Sequence, residues 1–336
     1  MTGIKMLVLF AALSLSLASS SPPPAFSQEV DASRILPELK SRMYSIQVKD
    51  QYAFAAVTAG LIIFDVAVPA EVKEAGTAYV HGSGTSVTLS GQNAILSAGP
   101  SGLWLFDISK PDSPVEVAHL KTPGAAMATA IAGKLCFVAD GTFGLLAFDI
   151  SDPRHPKEVF HHDISDTKDY YRHVVTAGDL VYAAAAFNGV KIFRIEGNRI
   201  DKISEFKTAG EARHLAVSGK ELFVADGHGG LRIYDISKPE MPHELGSIPT
   251  RDFTRGLTVR GKLAYLADGN GGLRIIDVSK PGNPVEKGSI KTPASANGVT
   301  VSGNHAFVAA DAAGLAVYDV SNPSAPVHFE KKKEEK

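Results

Sequence analysis

A ten-residue segment, Gly230-Leu-Arg-Ile-Tyr-Asp-Ile-Ser-Lys-Pro239, recurs along the chain and restricts its fold more than any other feature. The glycines that open its copies are Gly60, Gly102, Gly144, Gly189, Gly230, Gly272 and Gly314. Successive copies are therefore 42, 42, 45, 41, 42 and 42 residues apart. A fixed period of roughly 20–50 residues is typical of solenoids, propellers and repeat arrays. The chain is predicted to consist of seven similar units.

Each period is predicted to contain four short strands. In the last period they cover residues 298–302, 305–309, 315–320 and 327–329, with turn-forming residues between them. This spacing favours an antiparallel meander. The third strand carries apolar residues at both alternating positions, as in 231–236, which indicates a sheet packed on both faces. Small sheets packed between copies of themselves are propeller blades, so we predict an all-β, seven-bladed β-propeller of four-stranded antiparallel blades over residues 43–330.

Residues 1–27 have the layout of a secretory signal peptide. Lys5 precedes an apolar run over 6–18, and small residues allow cleavage after Ser27 or after Ser20. The apolar run is shorter than the ~20 residues that span a bilayer. We therefore expect a secreted or periplasmic protein with no transmembrane segment after cleavage.

The segments that flank the propeller carry little core-forming material. Residues 28–42 are expected to be an N-terminal extension, and pairing of this extension with the last blade would protect an open sheet edge. Residues 331–336 form a charged tail. Loss of either terminal blade is expected to unfold the protein.

Bulk composition gives further bounds. The formal net charge of −2 gives no reason to expect binding to nucleic acid or to an anionic membrane. The single cysteine, Cys136, cannot form an internal disulfide and is predicted to be buried. We expect a monomer and predict no cofactor.

The repeated segment resembles the LVIVD repeat, which defines a bacterial family of propeller-forming repeats. The matching segments are Gly102–Pro111, Gly144–Pro153, Gly230–Pro239, Gly272–Pro281 and Gly314–Pro323. The resemblance implies an exported or surface protein without a shared catalytic motif. Two copies depart from the pattern: the first has Ala67 in place of the serine, and the fourth, over 189–197, lacks the aspartate, serine and proline.

The aspartate of the repeat is interpreted as structural. It is present in six of the seven copies, as Asp65, Asp107, Asp149, Asp235, Asp277 and Asp319. Asp and Ser side chains bond nearby backbone amides at turns. The same role is expected for the aspartates of the turn between the second and third strands, Asp140, Asp226, Asp268 and Asp311.

Function is expected where the blades differ. The first strand of each blade is innermost in a propeller, so its start opens onto the central channel. Aligned on the residue that ends each first strand, the residues six positions earlier are Tyr44, Thr85, Met127, Arg172, Arg213, Arg255 and Asn297. Three neighbouring blades thus present arginine, which suits the recognition of carboxylate or phosphate. The alternative is that these arginines fill the channel, paired with Asp252 or Glu211.

The loop after the third blade is three residues longer than its equivalents. It contains His161-His-Asp-Ile-Ser-Asp-Thr-Lys-Asp-Tyr-Tyr171. Its His and Asp spacing matches no established metal-binding loop, so we predict no metal site. The predicted ligand-binding residues are Arg172, His173, Arg213, His214, Arg255, Tyr170, Tyr171 and Asn297.

Three functions are compatible with these residues at the mouth of the central channel. The first is a non-enzymatic exported protein that binds an anionic small molecule, or an envelope or extracellular protein. The second is a lyase or hydrolase acting on an acidic sugar or ester, in which His173, His214 or Tyr171 takes a proton. The third is a scaffold whose arginines are interface hot spots. No catalytic residue is assigned.

Overall fold

A computed structural model describes residues 42–164, 169–197 and 199–329. These residues form seven four-stranded antiparallel sheets, each with the strands in chain order, which confirms the predicted seven-bladed propeller. Residues 1–41 and 330–336, which include the predicted signal peptide and tail, lie outside the described residues.

Each blade is one continuous stretch of chain. Blades 1 to 4 comprise β1 (Met43–Lys49), β2 (Tyr52–Val57), β3 (Gly60–Asp65) and β4 (Lys73–Tyr79); β5 (Ser86–Ser90), β6 (Asn93–Ser97), β7 (Leu103–Asp107) and β8 (Val115–Leu120); β9 (Ala128–Ala132), β10 (Leu135–Ala139), β11 (Leu145–Asp149) and β12 (Lys157–His162); and β13 (His173–Ala177), β14 (Leu180–Ala184), β15 (Val190–Glu196) and β16 (Arg199–Phe206).

Blades 5 to 7 repeat the arrangement. They comprise β17 (His214–Ser218), β18 (Glu221–Ala225), β19 (Leu231–Asp235) and β20 (His243–Ile248); β21 (Gly256–Arg260), β22 (Leu263–Ala267), β23 (Leu273–Asp277) and β24 (Val285–Ile290); and β25 (Gly298–Ser302), β26 (His305–Ala309), β27 (Leu315–Asp319) and β28 (Val327–His328).

Apolar side chains of adjacent blades form the cores. Phe54 of blade 1, for example, shares a buried cluster with Trp104 of blade 2. All four apolar residues of β7, Leu103 to Phe106, are buried, because this strand packs on a neighbouring blade at each face. Trp104 is buried and stacks on His119 with ring centroids 3.8 Å apart.

The ring closes by packing of blade 7 on blade 1. Met43 N donates to the Asp311 carbonyl at 3.0 Å, and the Asn297 side-chain amide donates to the Met43 carbonyl at 2.9 Å. Phe307 and Val317 of blade 7 belong to the core cluster of blade 1. Within the described residues, closure involves no strand exchange. The proposed pairing of residues 28–41 stays a prediction because that segment lies outside them.

The repeated aspartates hold the turns after the third strands, as predicted. Each carboxylate accepts the backbone amide of the residue two positions later, for Asp65, Asp107, Asp149, Asp235, Asp277 and Asp319. Hydrogen bonding to Ser279 lowers the pKa of Asp277 to about 2. In blade 4, Arg194 replaces the aspartate and its guanidinium pairs instead with the Glu240 carboxylate of blade 5 at 2.6 Å.

The aspartates of the second turn connect that turn to the loop entering the same blade. Asp140, Asp226 and Asp268 are fully buried. Their carboxylates accept backbone amides at 2.7 Å from Gly124, at 2.7 Å from Gly210 and at 2.9 Å from Arg251, respectively. These contacts fix the entering loops on one face, which we call the mouth face, and so position the starts of the first strands.

Candidate anion-binding site at the channel mouth

The central channel is a polar-walled cavity of about 490 Å³ lined by residues from all seven first strands. Side chains of a first strand hydrogen-bond to the backbone of the first strand in the next blade. Thr88 Oγ1 donates to the Thr129 carbonyl at 2.9 Å, and Gln47 Oε1 accepts the Leu89 amide at 3.2 Å. The channel wall is therefore closed between these blades, and blade-specific chemistry lies at its mouth.

Alternation along the entering loops decides which side chains reach the mouth. The residue seven positions before the one that ends each first strand is buried in every blade: Met43, Gly84, Ala126, Tyr171, Ala212, Thr254 and Ala296. In blades 4 to 6, the two chain neighbours of this buried residue are instead half-buried, or they pair with such a neighbour in an adjacent blade. The mouth residues of these blades therefore come from two positions that flank a buried one.

Tyr171, which is predicted to contact a ligand, occupies the buried position and does not line the mouth. Its side chain is 0% exposed and packs in a core cluster with Phe137 and Phe193. Burial, and to a lesser extent Asp169, raises the pKa of its phenol. Tyr171 is a core residue, whereas Tyr170 beside it reaches the mouth.

Three arginines stack on two aromatic rings along the mouth. The guanidinium carbon of Arg172 lies 4.7 Å from the Tyr170 ring centroid. Those of Arg213 and Arg255 lie 5.0 Å and 5.4 Å from the Phe253 ring centroid. Together with Glu211, these residues form a row across blades 4 to 6 that we call the arginine ladder: Tyr170, Arg172, Glu211, Arg213, Phe253 and Arg255.

One carboxylate serves two of the arginines. Glu211 Oε1 lies 2.5 Å from Arg172 Nε and 3.0 Å from Arg213 Nη1, and its side chain is only 9% exposed. Part of the alternative considered from sequence, pairing with Glu211, is thus present. Burial first, and then the nearby charge of Arg172, lowers the pKa of Arg213, which shows that the positive charges are crowded.

Arg255 makes no ion pair within the described residues, and its Nε is buried without a hydrogen-bond partner there. The other predicted partner, Asp252, accepts the Asn270 amide at 2.7 Å through Oδ2. The three guanidinium groups and the one carboxylate of the ladder give it a formal charge of +2, and the Asp252 carboxylate stands beside Phe253 in the chain.

A second row of basic residues forms ion pairs with other carboxylates near the mouth. Lys191, Arg232 and Arg274 occupy equivalent positions of the third strands in the same three blades. Arg232 binds Asp226 at 3.0 Å and Glu244 at 2.9 Å. Arg274 lies 3.8 Å from Asp268 and also pairs with Glu286. Asp226 and Asp268 therefore pair with arginines of the second row rather than with those of the ladder.

His173 and His214 lie just below the ladder, in the channel wall. Their rings stack with centroids 3.6 Å apart, and the Leu215 amide donates to His173 Nδ1 at 3.3 Å. Burial lowers the pKa of His214 to about 4 and that of His173 well below its usual range. No carboxylate of the described residues hydrogen-bonds either ring, so both imidazoles are neutral at pH 7.

This histidine pair makes stability depend on pH. An unfolded histidine takes up a proton near pH 6.5, whereas folded His214 does so near 4. Between these values the unfolded state binds more protons, so lowering the pH through this window destabilises the folded state. We expect the free energy of unfolding to fall by on the order of 1–2 kcal/mol between pH 7 and pH 5 through His214.

Urea unfolding at both pH values measures this loss. His214→Gln should lose less stability than the wild type over the same interval. The matched control is His155→Gln, which removes an imidazole that is 78% exposed on an outer turn. An undiminished pH dependence in His214→Gln would contradict the assignment.

Asn297, the remaining predicted residue, is used in ring closure, since its amide donates to the Met43 carbonyl. In the insertion after blade 3, His161 bonds the Phe143 carbonyl at 2.9 Å, and residues 165–168 lie outside the described residues. Over the part of the chain that the structure describes, no group of three or more His, Cys, Asp or Glu residues is arranged to hold a metal ion.

Sequence reasoning missed two members of the ladder as mouth residues. The sequence analysis treats Glu211 only as a neutralising partner of the arginines and does not identify Phe253. A signal was present, because both stand two positions before an aligned arginine, as Tyr170 does. Reading the aligned loops at both flanking positions identifies all six residues.

Comparison with solved structures supports the fold. A crystal structure of the computationally designed Ika8 protein matches with a TM-score of 0.63 and 13% sequence identity, over 85% of this chain and 86% of that chain. No curated protein matches the chain. None of the described residues forms a helix of the length and apolarity needed to cross a membrane.

The family comparison matches six blades. The model of the LVIVD repeat matches residues 43–79, 81–122, 123–164, 209–250, 253–292 and 293–331. The unmatched interval contains blade 4, whose third strand lacks the motif aspartate, serine and proline. These matches cover most of the sequence, and the chain belongs to the LVIVD repeat family.

Proposed function

We propose that this protein is an exported, non-enzymatic binding protein whose arginine ladder recognises an anionic ligand. The observation that carries the proposal is the charge balance of the ladder, in which one carboxylate pairs with two of the three arginines and Arg255 has no ion pair within the described residues. LVIVD repeat proteins are typically exported, which supports the location.

Stacking prepares the guanidinium groups for binding. A guanidinium that lies over an aromatic face is held by its π-system and keeps its N–H donors directed outward in its own plane. Arg213 and Arg255 share Phe253 in this way. Guanidinium groups held in this way suit a carboxylate or phosphate, which arginine binds with paired hydrogen bonds.

The surroundings strengthen this attraction. The side chains of Arg172 and Arg213 are only 26% and 22% exposed, so protein rather than water surrounds much of each charge. Coulombic attraction is stronger in such a setting than in bulk water. An anion at the mouth would replace the missing counter-charge.

Replacing Arg213 and Arg255 together with glutamine should weaken binding of citrate and inorganic phosphate by at least about tenfold, because hydrogen bonds to charged groups contribute about 1.5–3 kcal/mol each. Isothermal titration calorimetry measures this affinity, and thermal melting reports whether the variant is folded. The matched control is Arg199→Gln, which removes an arginine that is 74% exposed at the start of β16, on the opposite face. Equal affinities in the double variant and the wild type would refute the anion site.

We do not extend the proposal to the lyase or hydrolase alternative. Catalysis of that kind needs a general base with a pKa near the working pH. His214, with a pKa of about 4, is a weak base, and His173 already accepts the Leu215 amide. Tyr171, the third base considered, is buried below the mouth.

A further inference from the structure

The rim outside the ladder carries two exposed phenylalanines in neighbouring blades. From this rim, and resting on the proposed function, we infer that the anionic ligand is an acidic segment of another protein that also carries a large apolar side chain. The acidic groups bind the ladder, and the apolar side chain packs on Phe187 and Phe143.

Phe187 is the central apolar contact of this surface. It is 73% exposed, at the tip of the turn between β14 and β15. The preceding residue, Ala186, forms an isolated β-bridge with Ala212, which stands between Glu211 and Arg213 in the chain. The bridge fixes the turn that carries Phe187 beside the middle of the ladder.

Phe143 has the same relation to the start of the ladder. It is 40% exposed in the turn between β10 and β11, where Gly141 forms a bridge with Tyr171. His161 holds this turn by stacking on the Phe143 ring, with centroids 5.2 Å apart, and by its bond to the Phe143 carbonyl. The two phenylalanines thus form an outer row against the inner row of Arg172 and Arg213.

The composition of the combined surface is that of a protein interface. Arginine, tyrosine and phenylalanine are enriched at interface centres, whereas lysine and glutamate are depleted there. The ladder and its rim contain three arginines, four aromatic residues when Phe143 and Phe187 are included, and one glutamate that is already paired. A small anion would use the arginines alone and would leave Phe187 in water.

Charge selects the partner. The ladder has a formal charge of +2, so it complements a segment with at least two carboxylates. An exposed apolar surface beside such a charge pattern is typical of protein interaction sites. The chemistry therefore points to an acidic segment with a large apolar residue.

The test uses the full chain and labelled twelve-residue peptides in fluorescence anisotropy. The peptides contain two glutamates and one phenylalanine at varied spacings. Matched sets replace the glutamates with glutamine or the phenylalanine with serine. The proteins are the wild type, Phe187→Ser, the Arg213→Gln and Arg255→Gln double variant, and Met241→Ser, which changes a residue that is 75% exposed on the opposite face.

The wild type is expected to bind acidic peptides that carry phenylalanine more tightly than either matched set. Phe187→Ser should weaken this binding by about tenfold and leave citrate and phosphate binding unchanged, and Met241→Ser should change neither. Unchanged peptide affinity in Phe187→Ser, or equal binding of the set that lacks phenylalanine, would overturn the inference.

The remaining outcomes separate the two proposals. Binding of citrate or phosphate without binding of any peptide would reject the protein partner and leave the anion site standing. Failure of all three probes to bind would reject both. Binding of peptides that survives the double arginine change would also overturn the inference, because the acidic groups would then lie elsewhere.

Discussion

Deletion of the seventh blade, residues 293–336, is expected to unfold the entire propeller. Blade 7 contributes Phe307 and Val317 to the core shared with blade 1, and Val308 and Tyr318 to the core shared with blade 6. Its loss exposes two apolar blade faces. Burial of one large apolar side chain contributes roughly 1.5–3 kcal/mol, and total stability is only about 5–15 kcal/mol, so the loss of several exceeds what the fold can tolerate.

Closure makes this loss larger than in an open array. A solenoid that loses a terminal repeat keeps its remaining nearest-neighbour interfaces. A ring loses an interface on both sides of the deleted blade, together with the hydrogen bonds of Met43 to Asp311 and Asn297. Far-UV circular dichroism and limited trypsin digestion would measure the outcome.

The control for this deletion removes only residues 331–336, the charged tail, and should melt like the full chain. A cooperative melt and a protease-resistant fragment in the blade 7 deletion would contradict the expected unfolding. That result would mean that six blades close or remain folded as an open array.

The fold could be predicted because each blade repeats its glycines and turn residues at nearly the same spacing. Gly189 illustrates this in the blade that lacks the rest of the motif: its φ is +76°, and a side chain there would collide with the Phe206 carbonyl. Blade 4 forms all four strands without the motif aspartate, and Arg194, which stands in its place, pairs with Glu240 of blade 5. Spacing and glycine position therefore specify the blade count more strongly than the full motif does.

The site was only partly predictable, for two physical reasons. The register of the first strands places Arg172, Arg213 and Arg255 at one mouth, and a count along the chain finds this. This count does not reveal which polar groups already have hydrogen-bond or ion-pair partners. The Asn297 side-chain amide donates to the Met43 carbonyl, and the Glu211 carboxylate pairs with two arginines that are about 40 positions apart in the chain. Such pairings arise between blades and have no local signature.

Tyr170 and Tyr171 are adjacent in the chain but have different roles in the structure. Two adjacent tyrosines are predicted to reach the mouth, but only the first lies there, because successive side chains of an extended segment point to opposite sides. Tyr170 stacks under Arg172, whereas Tyr171 fills the core. The buried residues at the equivalent loop position in the other blades, such as Ala126 and Ala212, already indicate this outcome.

Glu211→Gln is expected to tighten anion binding while it destabilises the protein without an anion. The Glu211 carboxylate pairs with Arg172 and Arg213, so under the proposed function it would compete with a ligand anion for the same guanidinium groups. Removing one partner of a fully buried ion pair costs about 3–5 kcal/mol, and the partial exposure of both arginines reduces this to about 2 kcal/mol. The ladder then has a formal charge of +3.

Anions should restore this lost stability. A ligand that binds only the folded state stabilises it by RT ln(1 + [L]/Kd), so a tenfold tighter Kd gives about 1.4 kcal/mol at saturating ligand. Melting of Glu211→Gln in rising citrate or phosphate should therefore approach the wild-type midpoint, and calorimetry should show affinity at least about tenfold higher than in the wild type. The matched control is Glu240→Gln, which breaks a pair with Arg194 on the opposite face, where exposed ion pairs contribute at most about 1 kcal/mol. If Glu211→Gln binds anions no more tightly than the wild type, Glu211 is not occupying the ligand's place, and the ladder is a structural ion-pair network.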